Sequence, residues 1–364
     1  MTTEYFTSCV AVFEGGGVRG AAYAGAYAAA IEAGIRFNRV AGSSAGSIAA
    51  AFIAAGGTPE TIATKLLELD MASLQRPPVK DGVPFVNPGP FGALLTKIPS
   101  GFAKNLGRFL KYSGGFSSLA VREWVEASLR EMLTANGRPA IERAVRFSDL
   151  LIPLYVVAAD VLQRVPKVWS LETTPEDSVA FAVQASCAIP FYFQAVCNTQ
   201  SVFVDGGTIS NLPSHVFPLR KGHPGRFSEK TLAFRLKTNP SAPKDRFNDA
   251  AEFAFSIADT VVDSATAIQQ SLQPSVYSIE ISTGDIRSTD FDKMTKEKKH
   301  LLFENGKKAV NDFVASEREL VGRHQVATSY VGFDERLLAY VSAISQARET
   351  IWFSDSSTYW LFFI

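Results

Sequence analysis

Three short stretches of the 364-residue chain combine residue types and spacings suited to nucleophilic chemistry. The first is Gly42-Ser43-Ser44-Ala45-Gly46, a G-x-S-x-G pattern. Its two glycines permit the sharp turn that lifts a serine hydroxyl clear of a sheet. Ser43 and Ser47 lack glycines at both flanking positions, so Ser44 is the candidate nucleophile. Alone, the same residues would equally serve as a small-residue helix start with a serine cap. A serine also needs a base and donors for the oxyanion. Asp205, in "VFVDGG", stands at the end of a strand-like run, and Gly206 and Gly207 after it allow close approach of a substrate. The third stretch, "EGGGVRG" from Glu14, offers the backbone amides of Gly15, Gly16 and Gly17 as oxyanion donors, with Arg19 to brace the loop or attract an anion.

That glycine loop admits a second chemistry. Gly15, Gly17 and Gly20 spell the G-x-G-x-x-G of a dinucleotide cradle. Such a cradle requires an acid about 20 residues on, at the end of the next strand, to hold the ribose. The strand end "RVAGSS" carries none, although Arg36 or Arg39 is available as a phosphate partner. Histidine is the other ordinary base. His223, His300 and His324 lie in turn-like or charged surroundings. His215, ten residues after Asp205, keeps the order Ser, Asp, His. Against a histidine triad, position 44 leaves room for only one full strand before the elbow.

The elements that must position these residues follow from pattern and punctuation. Residues 8 to 13 read as a buried strand, 21 to 34 as a helix closed by Gly34, and Arg39 to Ala41 as a short strand. A small-residue helix ends at Gly56. Another runs from the Thr58-Pro59-Glu60 start to about Asp70. This β-α-β-α opening predicts a parallel sheet covered by helices. "LAVREWVEASLREML" is an amphipathic helix, and "LLIPLYVVAAD", "SVFVDGG", "TLAFRL" and "SVYSIEI" are strands. Residues 248 to 270 and 292 to 315 are further helices, the latter a charged surface one.

In order, "GGGVRG", "GSSAG" and "VDGG" resemble the oxyanion loop, nucleophile elbow and Asp-Gly-Gly of the patatin-like phospholipases. "ASCAIPFYF" from Ala185 and "NLP" at Asn211 to Pro213 are similar to further blocks of that family. The resemblance covers residues 8 to 315, leaving 316 to 364 as a C-terminal extension. It implies a three-layer α/β/α sandwich around a central, mostly parallel sheet. It also implies a Ser44 and Asp205 dyad without histidine, Gly15, Gly16, Gly17 and Arg19 as the oxyanion loop, and fatty-acyl esters of membrane phospholipid as substrate. The rival class is the same hydrolase held inactive until a partner or a small nucleotide signal binds, but no motif identifies a signal site.

Composition bounds the rest. Lys plus Arg and Asp plus Glu both count 36, so nothing draws the whole chain to nucleic acid. Cys9, Cys187 and Cys197 lack metal-ligand spacing, and neither a metal nor a cofactor is expected. "MTTEYFTS" has no signal-peptide pattern and no run reaches about 18 apolar residues, which reads as a cytoplasmic protein acting transiently at the inner membrane face. Residues 71 to 118, rich in Pro and Gly, read as a cap or lid. Within it Phe102, Leu106, Phe109 and Leu110 form one helical face opposite Lys104, Arg108 and Lys111, a pattern for a membrane interface or for packing on the core. The final "YWLFFI" suits a groove, a membrane or assembly into a homo-oligomer.

Overall fold

The computed structural model describes residues 6–79, 114–217, 230–239 and 276–329, together with Thr260 and Ser264. The proposed membrane or lid face, Phe102 to Lys111, lies outside the described residues, as do His223 and nearly all of the 248 to 270 helix. The chain divides into two compact units, Met1–Val314 and Ala315–Ile364.

The first strand, β1 (Cys9–Phe13), is buried along its whole length, as its unbroken apolar run requires of a central parallel strand. A 3-10 turn (Gly17–Ala21) follows the glycine loop and feeds helix α1 (Ala22–Glu32). The second strand, β2 (Phe37–Ser43), is longer than its sequence predicts, because Phe37 and Arg39 of its half-buried start pair with β1 across a register shift at Asn38, while only the end from Val40 is fully buried. Helix α2 (Ala45–Ala54) leaves its tip directly. Helix α3 (Pro59–Glu68) starts as expected: the Thr58 hydroxyl accepts from the Thr61 amide at 3.2 Å. Arg36 is absorbed locally, donating to the carbonyls of Ile31 and Ile35 behind α1.

A short strand β3 (Gly114–Phe116) leads into α4 (Leu119–Ala135). Its buried residues Val121, Val125, Leu129 and Met132 recur at helical spacing against the core. Next come β4 (Leu154–Asp160) and a hairpin strand, β5 (Val165–Ser170). After α5 (Val179–Ser186) come β6 (Phe191–Phe193), β7 (Val196–Cys197) and β8 (Val202–Asp205), which runs into the one-turn helix α6 (Gly207–Ser210). Strands β9 (Thr231–Thr238) and β10 (Tyr277–Gly284) complete the sheet, and helix α7 (Lys296–Ser329) ends the described chain. Sequence pattern alone missed β5, α5, β6 and β7. They are short, or alternate too little to stand out from turns.

Strands β10, β9, β1, β2 and β4 lie side by side and all run parallel. Alternate residues of β1 serve opposite faces. Ala11 and Phe13 join the large core under the helices, and Val10 and Val12 join a smaller cluster with Tyr155, Leu212 and Phe217. The result is a mixed, mostly parallel sheet flanked by helices.

One departure from the expected sheet matters most. Asp205 does not end another parallel strand, since β8 runs antiparallel to β4. Strand β5 lines β4 from Tyr155 to Asp160 along one edge. On the other edge β2 stops at Ser43 opposite Val157, and β8 arrives with Asp205 opposite Ala158. Thus β2 and β8 meet head to head in one lane of the sheet, each delivering its C-terminal residue to the same point.

Candidate active site

At that meeting point Ser44 Oγ donates to Asp205 Oδ2 at 2.6 Å. Both side chains are buried, with 5% and 6% of their residue surface exposed. Ser44 has φ 50° and ψ −129°, a backbone conformation that a residue with a side chain adopts only when its surroundings enforce it. The glycines enforce it. A methyl group on Gly46 would lie 2.2 Å from the Phe13 carbonyl oxygen, and one on Gly42 would lie 2.3 Å from that of Gly46. Neither position accepts a side chain, so α2 can pack its first turn against the end of β1 and hold the elbow closed.

The elbow is pinned from its other side by a residue that the spacing of motifs did not single out. The Ser44 amide donates to Ser186 Oγ at 2.8 Å, and Ser186 Oγ donates to the Val157 carbonyl at 2.6 Å. Only the Ala-Ser-x-x-x-Pro block signalled this serine. Ser43, adjacent in sequence, is fully buried, and its hydroxyl finds no partner among the described residues.

Asp205 is held as firmly. Its amide donates to the Ala188 carbonyl at 2.8 Å, and its Oδ1 accepts from the Gly207 amide at 2.7 Å. Burial pushes its carboxyl up to about 6, with the bonds from Ser44 and Gly207 acting the other way. His215 stands apart from this pair: Nδ1 of its ring meets Ser210 Oγ at 3.2 Å, and burial lowers its basicity.

The glycine loop lies against the serine. A methyl group on Gly15 would come within 3.1 Å of Ser44 Cβ and 2.3 Å of Asn211 Oδ1. Gly15 is nevertheless corrected as a donor, because its amide already gives its hydrogen to the Asn211 carbonyl at 2.9 Å. The amides of Gly16 and Gly17 have no protein acceptor among the described residues. Arg19 braces the loop: Nε donates to the Gly16 carbonyl at 3.0 Å, and Nη1 donates to Thr238 Oγ1.

Glu14, the residue before the glycines, is a further component that the sequence reading did not single out. It is buried, accepting from Asn211 Nδ2 at 3.2 Å and from the Leu236 amide at 2.8 Å, while its own carbonyl accepts from Tyr23. Burial pushes its carboxyl up to about 7, opposed by the Leu236 bond and by the Arg235 and Arg19 charges. Through Asn211, Glu14 and Gly15 tie the glycine loop to the segment that follows Asp205. Beside Ser44 opens an apolar cavity lined by Ile48, Leu66, Met71, Trp124, Phe193 and Phe291 among others. Its lining suits an apolar ligand. No group of three metal-ligating side chains gathers among the described residues.

This is an α/β fold with a serine and a carboxylate joined at the C-terminal end of its sheet. Residues 11–218 match the family model described as patatin-like phospholipase. The chain belongs to the patatin-like phospholipase family. It is 31% identical over 313 residues to the uncharacterised protein YqhO of Bacillus subtilis (strain 168), covering 83% of this chain and 97% of that protein. Among solved structures it is similar to VipD from Legionella pneumophila, at 21% identity and a TM-score of 0.50, over 85% of this chain and 67% of VipD. A weaker similarity, at 18% identity and a TM-score of 0.45, links it to ExoU in the ExoU-SpcU complex of Pseudomonas aeruginosa. It covers 85% of this chain and about half, 51%, of that one.

Proposed function

We propose that the protein hydrolyses fatty-acyl esters of phospholipids through an acyl-enzyme on Ser44, with Asp205 as the base. The observation that carries this reading is the 2.6 Å bond between Ser44 Oγ and Asp205 Oδ2 at a strained elbow beside an apolar cavity. Asp205 takes the hydroxyl proton as Ser44 Oγ attacks the ester carbonyl. The free amides of Gly16 and Gly17 face the oxyanion that forms. Collapse of the tetrahedral intermediate breaks the bond to the glycerol oxygen, which leaves with the proton held on Asp205. Water, deprotonated by the same carboxylate, then attacks the acyl-enzyme and releases the fatty acid while the proton returns to Ser44. Supporting Asp205 over His215 is the engagement of that ring with Ser210. Supporting an ester over a dinucleotide is the position of the glycine loop against Ser44.

The test is fatty-acid release from phosphatidylcholine and phosphatidylglycerol by the purified chain. Ser44→Ala and Asp205→Ala should each lower it by at least about a thousandfold, the scale of losing a nucleophile or its base. Ser43→Ala should retain it, since that hydroxyl finds no partner among the described residues. Near-normal release by either dyad variant would refute the mechanism.

A further inference from the structure

The hairpin joining β4 to β5 differs from the rest of the described surface. Residues 161 to 166, Val161-Leu162-Gln163-Arg164-Val165-Pro166, are all exposed. Three of its apolar side chains, Val161 at 46%, Leu162 at 46% and Val165 at 47%, are among the most exposed large hydrophobics of the described residues. The others of that kind, such as Leu151, Leu171 and Leu301, stand apart from one another in sequence. Exposed apolar side chains gathered on one protruding turn mark a contact surface.

The turn is built to hold that shape. Buried Asp160 accepts from the amides of Leu162 and Gln163 at 3.0 and 3.1 Å, and Arg164 sits at φ 58°. The Val161 amide donates to the Val202 carbonyl, which sets the Asn198 to Ser201 turn of the β7–β8 hairpin beside it. The two turns together carry Arg164, a polar uncharged Asn-Thr-Gln-Ser, and no exposed carboxylate, and Lys167 follows on β5. Neither Arg164 nor Lys167 forms an ion pair among the described residues, and Lys167 lies over the Trp169 ring at 5.3 Å.

Position adds the last element. The strand β4 carries the hairpin past the level of Val157, where β2 ends at the nucleophile elbow. Three further residues to Asp160 correspond to about 10 Å of strand. The apolar tip therefore projects from the same end of the sheet that holds Ser44.

We infer that this hairpin is the chain's docking element for a phospholipid surface bearing anionic head groups, with Val161, Leu162 and Val165 entering the acyl boundary and Arg164 and Lys167 at the head groups. This rests on the phospholipid reading above and adds to it the surface on which the enzyme works. Apolar side chains flanked by cations and free of carboxylates are the composition that an anionic interface attracts. A second copy adding a strand to β5 is disfavoured by Pro166 and Lys167 on that strand, residues that blunt a sheet edge.

The experiment uses the full chain carrying Ser44→Ala, so that the vesicles survive and binding is read apart from hydrolysis. Vesicles of phosphatidylcholine and phosphatidylglycerol at about 7:3 are sedimented with the protein, beside vesicles of phosphatidylcholine alone. Binding should favour the anionic vesicles and fall at least about tenfold in Val161→Ser/Leu162→Ser/Val165→Ser. It should fall about fivefold for each of Arg164→Gln and Lys167→Gln. The circular dichroism spectrum and melting temperature of each variant should match the parent. In a Leu162→Trp form, tryptophan emission should shift to the blue and be quenched by lipids brominated along the chain. Three results would overturn the assignment: equal binding by parent and triple-serine variant, no binding by the parent, or a dimer in solution that the triple-serine variant dissociates. Vesicle binding through the hairpin by a protein whose Ser44 form releases no fatty acid would instead sink the hydrolase reading and leave the docking surface in place.

Discussion

Burial moves the Asp205 carboxyl from 3.8 up to about 6, close to neutral pH, which suits the role of base proposed for it. With Asp205 accepting the serine proton, kcat/KM on a soluble short-chain ester should drop about tenfold per pH unit below 6. A rate constant flat down to pH 5 would exclude it. Glu14 acts at one remove, through the positions of its neighbours. Glu14→Ala strands the Leu236 amide and the Asn211 side-chain amide without their acceptor. Each buried orphan costs about 1 to 3 kcal/mol. The melting temperature should fall by several degrees, and kcat should fall more than KM rises as the glycine loop shifts from Ser44. Unchanged kcat in a folded Glu14→Ala protein would show that the loop needs no such anchor. At this scale Ser44 and Asp205, the proposed nucleophile and base, stand out in the sequence because G-x-S-x-G and Asp-Gly-Gly are local patterns. Glu14 and the occupied amide of Gly15 do not, and Ser186 is marked only by the "ASCAIPFYF" resemblance, because their roles depend on Asn211, Val157 and Leu236, which are distant in sequence.

The elements meet through backbone contacts as close as those at the elbow. A methyl group on Gly25 of α1 would fall 1.8 Å from the Phe303 carbonyl oxygen, and one on Gly306 of α7 would fall 2.1 Å from that of Ala22. The two helices therefore touch backbone to backbone near these glycines. Lys299, largely buried, donates to the carbonyls of Leu67 and Leu69 at 2.9 and 2.6 Å and so closes the end of α3. Gly306→Ala should force α7 away from α1 and lower stability by about 1 to 3 kcal/mol, the usual cost of overpacking. Urea unfolding measures it, and a midpoint equal to wild type would contradict the packing. The charged pattern of residues 292 to 315 announced a helix and its surface side. It could not announce that Gly306 and Lys299 face inward, since a glycine and a lysine in a helical run look like a weak spot and a solvated charge.

For the whole molecule, the buried carboxylate of the site opposes stability. Below pH 3.8 Asp205 is protonated in both folded and unfolded chains. As pH rises the unfolded chain releases the proton first, so stability falls until the folded carboxyl ionises at about 6, and it stays lower above that. Glu14 acts in the same sense up to about 7, and His215, whose basicity burial lowers, in the opposite one. Both cancel when wild type is compared with Asp205→Asn. That variant should be more stable by on the order of 2 to 3 kcal/mol at pH 7.5, with the difference vanishing toward pH 4, while losing activity. Urea titrations at the two pH values decide it, and an Asn variant no more stable at pH 7.5 would refute the linkage. By itself the sequence determined the α/β class, the elbow at Ser44, the aspartate at 205 and the glycine loop, because each is written in neighbouring residues and in the periods of strand and helix. Only the tertiary structure decided that β8 runs against β4 and meets β2 head to head, that the amides of Gly16 and Gly17 find no acceptor among the described residues while that of Gly15 does, and that the β4–β5 turn stands exposed beyond the site. Strand direction, amide occupancy and exposure depend on pairings between residues far apart in the chain, which no local pattern records.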